Sequence, residues 1–79
     1  MSSIETSQTV FDATIHCVVA GDDPLEFLAD LVELARLHRD AVDDARRRLL
    51  SLVTNQPNGQ LAARGLALVE EALRLAARR

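Results

Sequence analysis

A long apolar seam constrains this chain of 79 residues more than any other sequence feature. After Pro24, apolar side chains recur at alternating spacings of three and four, which places them along one side of a single helix. Asp23 is suited to cap that helix, and Pro24 to occupy its first position. The sequence therefore predicts one long helix over residues 24–53. The residues of the seam are Leu28, Leu31, Ala35, His38, Val42, Ala45, Leu49 and Leu52.

A second amphipathic segment covers residues 60–78. It is separated from the first by Pro57 and by Asn58-Gly59, which are residues that end helices and form turns. Two amphipathic helices joined by a short loop predict an antiparallel hairpin, with Gly65 opposite Leu49. The seam of the second helix consists of Leu61, Gly65, Leu68, Ala72 and Leu75.

The two predicted helices differ in length, at about 45 Å for the first and about 28 Å for the second. The surplus, residues 24–34, is rich in apolar side chains that the shorter helix does not reach. A small chain with two Phe, no Tyr, no Trp and one Cys has few other sources of stability. We therefore expect a homodimer or a partner to cover this overhang. The expected interface residues are Leu25, Phe27, Leu28, Leu31, Val32 and His38.

Carboxylates border the same stretch of sequence. Residues 1–45 hold ten acidic residues against two Arg, whereas residues 46–79 hold seven Arg against two Glu. Charge of one sign around an apolar surface selects partners of the opposite sign. We therefore expect a larger protein partner with a basic docking site. The predicted acidic rim consists of Asp22, Asp23, Glu26, Asp30 and Glu33.

Residues 10–20 allow two structures, and we treat residues 1–9 as flexible. Apolar and polar residues alternate from Phe11 to Cys17, and two valines follow, which favours a β-strand. The alternative is a helix from about Glu5 to Ala20, with Ile4, Phe11, Ile15 and Val18 on one stripe. We favour the strand. Such a strand would have to pair with its own copy or with the edge of another protein's sheet.

The expected fold class is mainly α: a single domain with a short N-terminal strand or helix, followed by a long antiparallel helical hairpin, and dimeric. Little in the sequence indicates catalysis, a cofactor or a metal. His16 and Cys17 are adjacent and so point in different directions, and the three glycines are too far apart for a phosphate-binding loop. No apolar run is long enough for a bilayer, and we expect a cytoplasmic protein. Its cations are all Arg, which fits a GC-rich bacterial or phage genome.

Two resemblances add to this interpretation. A strand followed by helices over residues 12–37 resembles the ribbon-helix-helix proteins, which implies a paired strand in the major groove of DNA. The outward positions of that strand would be Asp12, Thr14 and His16, whereas phosphate contacts need basic residues. The turn over residues 19–24, residues 25–34 and residues 66–70 resemble small uncharacterised proteins of pseudomonads. That resemblance implies a strand and a helical hairpin, and no activity.

The leading hypothesis is a non-catalytic protein–protein interaction module: a small regulator, adaptor or inhibitor of a larger bacterial or phage-target protein. The alternative is a DNA-binding transcriptional regulator of ribbon-helix-helix plan. The low basic content near the predicted strand favours a protein partner over nucleic acid.

Overall fold

The computed structural model describes residues 3–21, 23–55 and 59–78, with side chains from Glu5 onward. Nearly all of these residues lie in four helices: α1 (Ser3–Ala20), α2 (Pro24–Leu37), α3 (Arg39–Asn55) and α4 (Gln60–Ala77). The described residues form no strand. The fold is therefore all-α. Asp22 of the predicted rim and the turn at Pro57 lie outside the described residues.

The N-terminal segment is a helix, so the strand that we favoured is wrong. Val10, Thr14 and Cys17 of α1 are buried, and their spacings of four and three are those of one helix face. A helix satisfies its own backbone hydrogen bonds, whereas a lone strand needs an external partner. Gly21 ends the helix with a φ of 72°, and its N–H donates to the carbonyl of Cys17 at 3.0 Å. The ribbon of the ribbon-helix-helix plan is therefore absent from residues 3–20.

Residues 3–9, which we expected to be flexible, form the first part of α1. Ser7 is fully buried, and its hydroxyl donates to Oδ2 of Asp44 on α3 at 2.6 Å. Arg48 donates to the same oxygen at 3.1 Å and to Oε1 of Gln8 at 2.6 Å. The hydrogen bond from Ser7, together with the nearby charge of Arg48, lowers the pKa of Asp44. These contacts hold the start of α1 against α3.

The predicted long helix is two helices, divided at His38. The backbone of His38 has φ −135° and ψ 57°, which is outside the helical region. Its N–H still donates to the carbonyl of Leu34 at 2.7 Å, and its carbonyl accepts from the N–H of Val42 at 3.1 Å. A straight helix over residues 24–53 would be about 45 Å long. The longest dimension of the molecule is only 36 Å.

Burial of the seam on both sides of His38 explains the division. Both α2 and α3 pack against α4, so the two halves of the seam enter one core. Burying a single leucine contributes about 1.5–3 kcal/mol, whereas losing one helical hydrogen bond costs about 0.5–1.5 kcal/mol. The overhang therefore does not exist, and it no longer supports a dimer. The seam residues in the core are Leu31, Ala35, Val42, Ala45 and Leu49.

The predicted pairing of the last two helices is confirmed at Gly65. A Cβ atom added to Gly65 would lie 3.6 Å from Cδ2 of Leu49 on α3. The same Cβ would lie only 2.9 Å from Cγ2 of Thr14 on α1. Gly65 is thus a position where α4 packs closely against both α1 and α3.

The radius of gyration is 11.6 Å. A compact chain of this length is expected to have a radius of gyration of about 12 Å, so the observed value is that of a compact chain. In the described part of the chain, no helix combines the length and the hydropathy that a membrane span requires.

Candidate functional site

A groove separates α1 from α2, which touch each other less than any other two helices. It consists of two adjoining cavities of about 400 Å³ and about 190 Å³. Ala13, Phe27 and Asp30 line both cavities, so they form one continuous depression. We call this depression the acidic groove. Its floor is apolar and consists of Val10, Ala13, Phe27, Leu31 and Leu34.

One wall of the acidic groove carries three carboxylates, those of Asp23, Glu26 and Asp30. Their spacings of three and four place them in a row along α2, over about 10 Å. None of them takes part in an ion pair with another described residue. Neither Arg nor Lys is among the described residues that line the groove. The negative charge of this wall is therefore uncompensated.

The cap of α2 places the first of these carboxylates. Asp23 has extended backbone geometry, and its Oδ1 accepts from the N–H of Leu25 at 3.0 Å. Pro24 occupies the first helical position, as the sequence predicts. His16 of α1 lies on the same groove. Among the described residues, no three His, Cys, Asp or Glu side chains converge closely enough to hold a metal ion. The carboxylates of the groove are therefore spread along it.

The residues of the predicted interface occupy three different environments. Leu31 is 2% exposed and belongs to the core, so a partner reaches it only at the floor of the acidic groove. Phe27, Leu28 and Val32 are half-buried and pack against the core. Leu25 is 74% exposed. The structure thus divides a surface that the sequence analysis treated as one.

His38 does not lie on the seam of a continuous helix. It is exposed at the junction of α2 and α3, where it lines a polar cavity of about 290 Å³ with Arg36, Arg39 and Asp40. In the predicted acidic rim, Asp23, Glu26 and Asp30 line the acidic groove, while Glu33 is exposed farther along α2. The structure therefore brings together three members of that rim.

Three consecutive arginines of α3, Arg46, Arg47 and Arg48, form ion pairs. Asp43 accepts a hydrogen bond from Arg46 at 3.0 Å and forms an ion pair with Arg47 at 3.3 Å, and Arg48 pairs with Asp44 at 3.1 Å. Phosphate binding requires cations that are available to release counterions from nucleic acid. These three arginines each face an acid of their own helix, which does not favour nucleic-acid binding.

The residues that α1 contributes to the groove are not among those predicted from the sequence. Thr9, Val10, Ala13 and His16 line it because they follow one another on the same face of α1. The stripe of Phe11, Ile15 and Val18 was the available signal for this helix. Gly21 after that stripe was a second signal, because glycine commonly ends helices in this way.

Comparison with known proteins identifies no relative. No protein-family model matches this chain, and neither do curated proteins or solved structures.

Proposed function

We propose that this protein is a non-catalytic interaction module that binds a basic amphipathic helix of a larger protein in the acidic groove. The observation that carries the proposal is an apolar floor beside three uncompensated carboxylates, with no Arg or Lys among the described lining residues. Grooves between helices bind amphipathic helices through apolar anchors at helical spacing. A small regulator, adaptor or inhibitor acts through a surface of this kind.

The apolar floor supplies the affinity in this proposal. Phe27 is half-buried at the centre of the groove, where it lines both cavities. Aromatic side chains at the centre of an interface contribute a large share of binding energy because they bury a large area with few rotatable bonds. An apolar anchor of the partner would pack against Phe27 and Ala13.

The carboxylates supply the selectivity. Asp23, Glu26 and Asp30 form a row two helical turns long, which matches basic side chains at the same helical spacing on a partner. Complementary charge raises the rate of association and disfavours acidic partners. The acidic groove therefore distinguishes a basic helix from an acidic helix of equal apolar content.

A pair of synthetic peptides tests this proposal. The first is an amphipathic helix with leucines on one face and arginines beside them, and the second carries glutamate in place of each arginine. We expect the basic peptide to shift the amide resonances of Ala13, His16 and Phe27 in the labelled protein. Its affinity should fall as salt is raised from about 0.1 M to about 1 M, because the Debye length falls from about 10 Å to about 3 Å.

The matched variants are Asp30→Lys and Glu70→Lys. Each reverses one exposed carboxylate, but only Asp30 lines the acidic groove. Asp30→Lys should weaken the basic peptide by about tenfold or more, and Glu70→Lys should change its affinity little. Equal binding of the two peptides, equal effects of the two variants, or no shift of the groove resonances would contradict the proposal.

A further inference from the structure

A second groove lies where α1 ends, α2 begins and both meet α4. Its volume is about 510 Å³, and its wall is almost entirely apolar. Val18 and Pro24 line one side, and Ala67 and Leu68 of α4 line the other. We call it the α4 groove. Val19 and Leu25, the sequence neighbours of Val18 and Pro24, are exposed but do not line the groove.

The α4 groove carries one charge of each sign. Arg64 and Glu71 both line it and lie seven residues apart, with Ala67 and Leu68 midway between them. Seven residues are about two helical turns, so the two charges share one face of α4 and are separated by about 10 Å. In the described part of the chain, Arg64 has no ion-pair partner, whereas Glu71 accepts a hydrogen bond from Arg74.

This arrangement is complementary to itself. If two copies of α4 run antiparallel about a two-fold axis at Ala67 and Leu68, Arg64 of each copy meets Glu71 of the other. A two-fold interface uses the same patch on both subunits, so each such contact occurs twice. Ala67 is exposed and small, which lets the two helices approach closely. The acidic groove lacks this property, because a two-fold contact there would oppose carboxylates to carboxylates.

We propose that a second copy of this chain occupies the α4 groove and forms a homodimer about that axis. The apolar walls supply the buried area, and the two reciprocal pairs of Arg64 with Glu71 fix the register. This dimer does not use residues 24–34 as an overhang. The charged pair that it requires, Arg64 and Glu71, does not line the acidic groove, so its test is independent of the proposed function.

Charge reversal tests the reciprocal pairs. Sedimentation equilibrium should show a dimer of the unaltered chain at micromolar to millimolar concentration. Arg64→Glu places like charges together at both ends of the interface and should weaken the dimer by about tenfold or more. Arg64→Glu combined with Glu71→Arg restores opposite charges and should recover most of the affinity. Arg39→Glu, an exposed reversal on α3, is the control and should leave the dimer unchanged.

A cross-linking measurement distinguishes a weakened dimer from a variant that fails to fold. In a Cys17→Ala background, which removes the native thiol of the same groove, Ala67→Cys places a thiol beside the two-fold axis, so oxidation with copper–phenanthroline should join two copies rapidly. Ala77→Cys on the same helix lies far from that axis and should cross-link slowly. A monomeric unaltered chain at millimolar concentration would overturn the proposal. So would a double reversal no better than Arg64→Glu alone, or equal cross-linking through the two cysteines.

Discussion

The acidic groove and the α4 groove share a wall at Cys17, yet they carry charge in opposite ways. The acidic groove holds three carboxylates and, among its described lining residues, no Arg or Lys. The α4 groove holds Arg64 and Glu71 at its two ends. A surface of one sign repels a copy of itself, whereas a surface with both signs across an axis attracts one. This difference is the reason why we propose a foreign partner for the acidic groove and a second copy for the α4 groove.

The two grooves also differ in what lies beneath them. Val10 and Leu31 form part of the floor of the acidic groove and belong to the core. Apart from the buried Cys17, the α4 groove is lined by exposed or half-buried residues, such as Pro24, Ala67 and Leu68. The acidic groove therefore extends down to residues of the core. Most of the α4 groove is surface, so we expect substitutions of its exposed residues to cost less stability than those of Val10 or Leu31.

The largest expected effect is a loss of stability on substitution of a core residue beneath the acidic groove. Leu31→Ala removes a side chain that is 2% exposed and should lower the free energy of unfolding by about 2–5 kcal/mol. Leu25→Ala, in the same helix but 74% exposed, should change it by no more than about 0.5 kcal/mol. Urea denaturation followed by circular dichroism measures both variants. Similar losses for the two leucines would show that the division between core and surface is misplaced.

Part of the fold can be predicted from the sequence. Asp23 and Pro24 predict the start of α2, and the spacing of Gly65 and Leu49 predicts the pairing of α3 with α4. Both predictions are confirmed by the cap at Asp23 and by the contact at Gly65. These features depend on local chemistry or on residues close to one turn, which a sequence displays directly.

The division at His38 and the helical state of α1 depend on long-range packing. Leu37, His38 and Arg39 include neither proline nor glycine, so nothing local indicates that a helix ends there. The chain bends because both halves of the seam find the same partner in α4. The acidic groove combines residues of α1 and α2. A strand over residues 10–20 does not place Val10, Ala13 and His16 on one face, so the groove cannot be predicted from that interpretation.

The next effect concerns the contact of α1 with α4, on which both grooves depend because α1 lines each of them. Gly65→Ala places a Cβ atom 2.9 Å from Cγ2 of Thr14. Thr14 is fully buried, and its hydroxyl donates to the carbonyl of Val10 at 2.7 Å, so it resists displacement. The overpacking should cost about 1–3 kcal/mol, partly offset by about 1 kcal/mol from the helix propensity of alanine.

Thr14→Ser is the matched background for this measurement, since it removes the crowded methyl group and keeps the hydroxyl. In that background Gly65→Ala should be neutral or stabilising, by up to about 1 kcal/mol. Thermal denaturation of the four proteins in the cycle gives the coupling between the two positions. An equal effect of Gly65→Ala in both backgrounds would mean that the crowding at Thr14 is relieved elsewhere.

The smallest expected effect concerns the hydrogen bond between Ser7 and Asp44, which lies at the acidic-groove end of α1. Ser7 holds the start of α1, near Thr9 and Val10 of the acidic groove, whereas the α4 groove uses Cys17 and Val18 at its other end. The pKa of Asp44 is lowered chiefly by the hydrogen bond from Ser7. Unfolding raises that pKa, so the unfolded chain binds more protons. The contact therefore stabilises the fold above about pH 4, and the stabilisation disappears as the pH falls through the folded pKa.

Ser7→Ala removes this contact and should raise the pKa of Asp44 toward its ordinary value, which carboxyl chemical shifts report. The unaltered chain should be more stable than Ser7→Ala at neutral pH, and their difference should shrink as the pH falls below about 4. Thr9→Ala is the control, because that hydroxyl bonds only within α1, to the carbonyl of Glu5. A difference that stays constant with pH would show that Ser7 stabilises by packing alone.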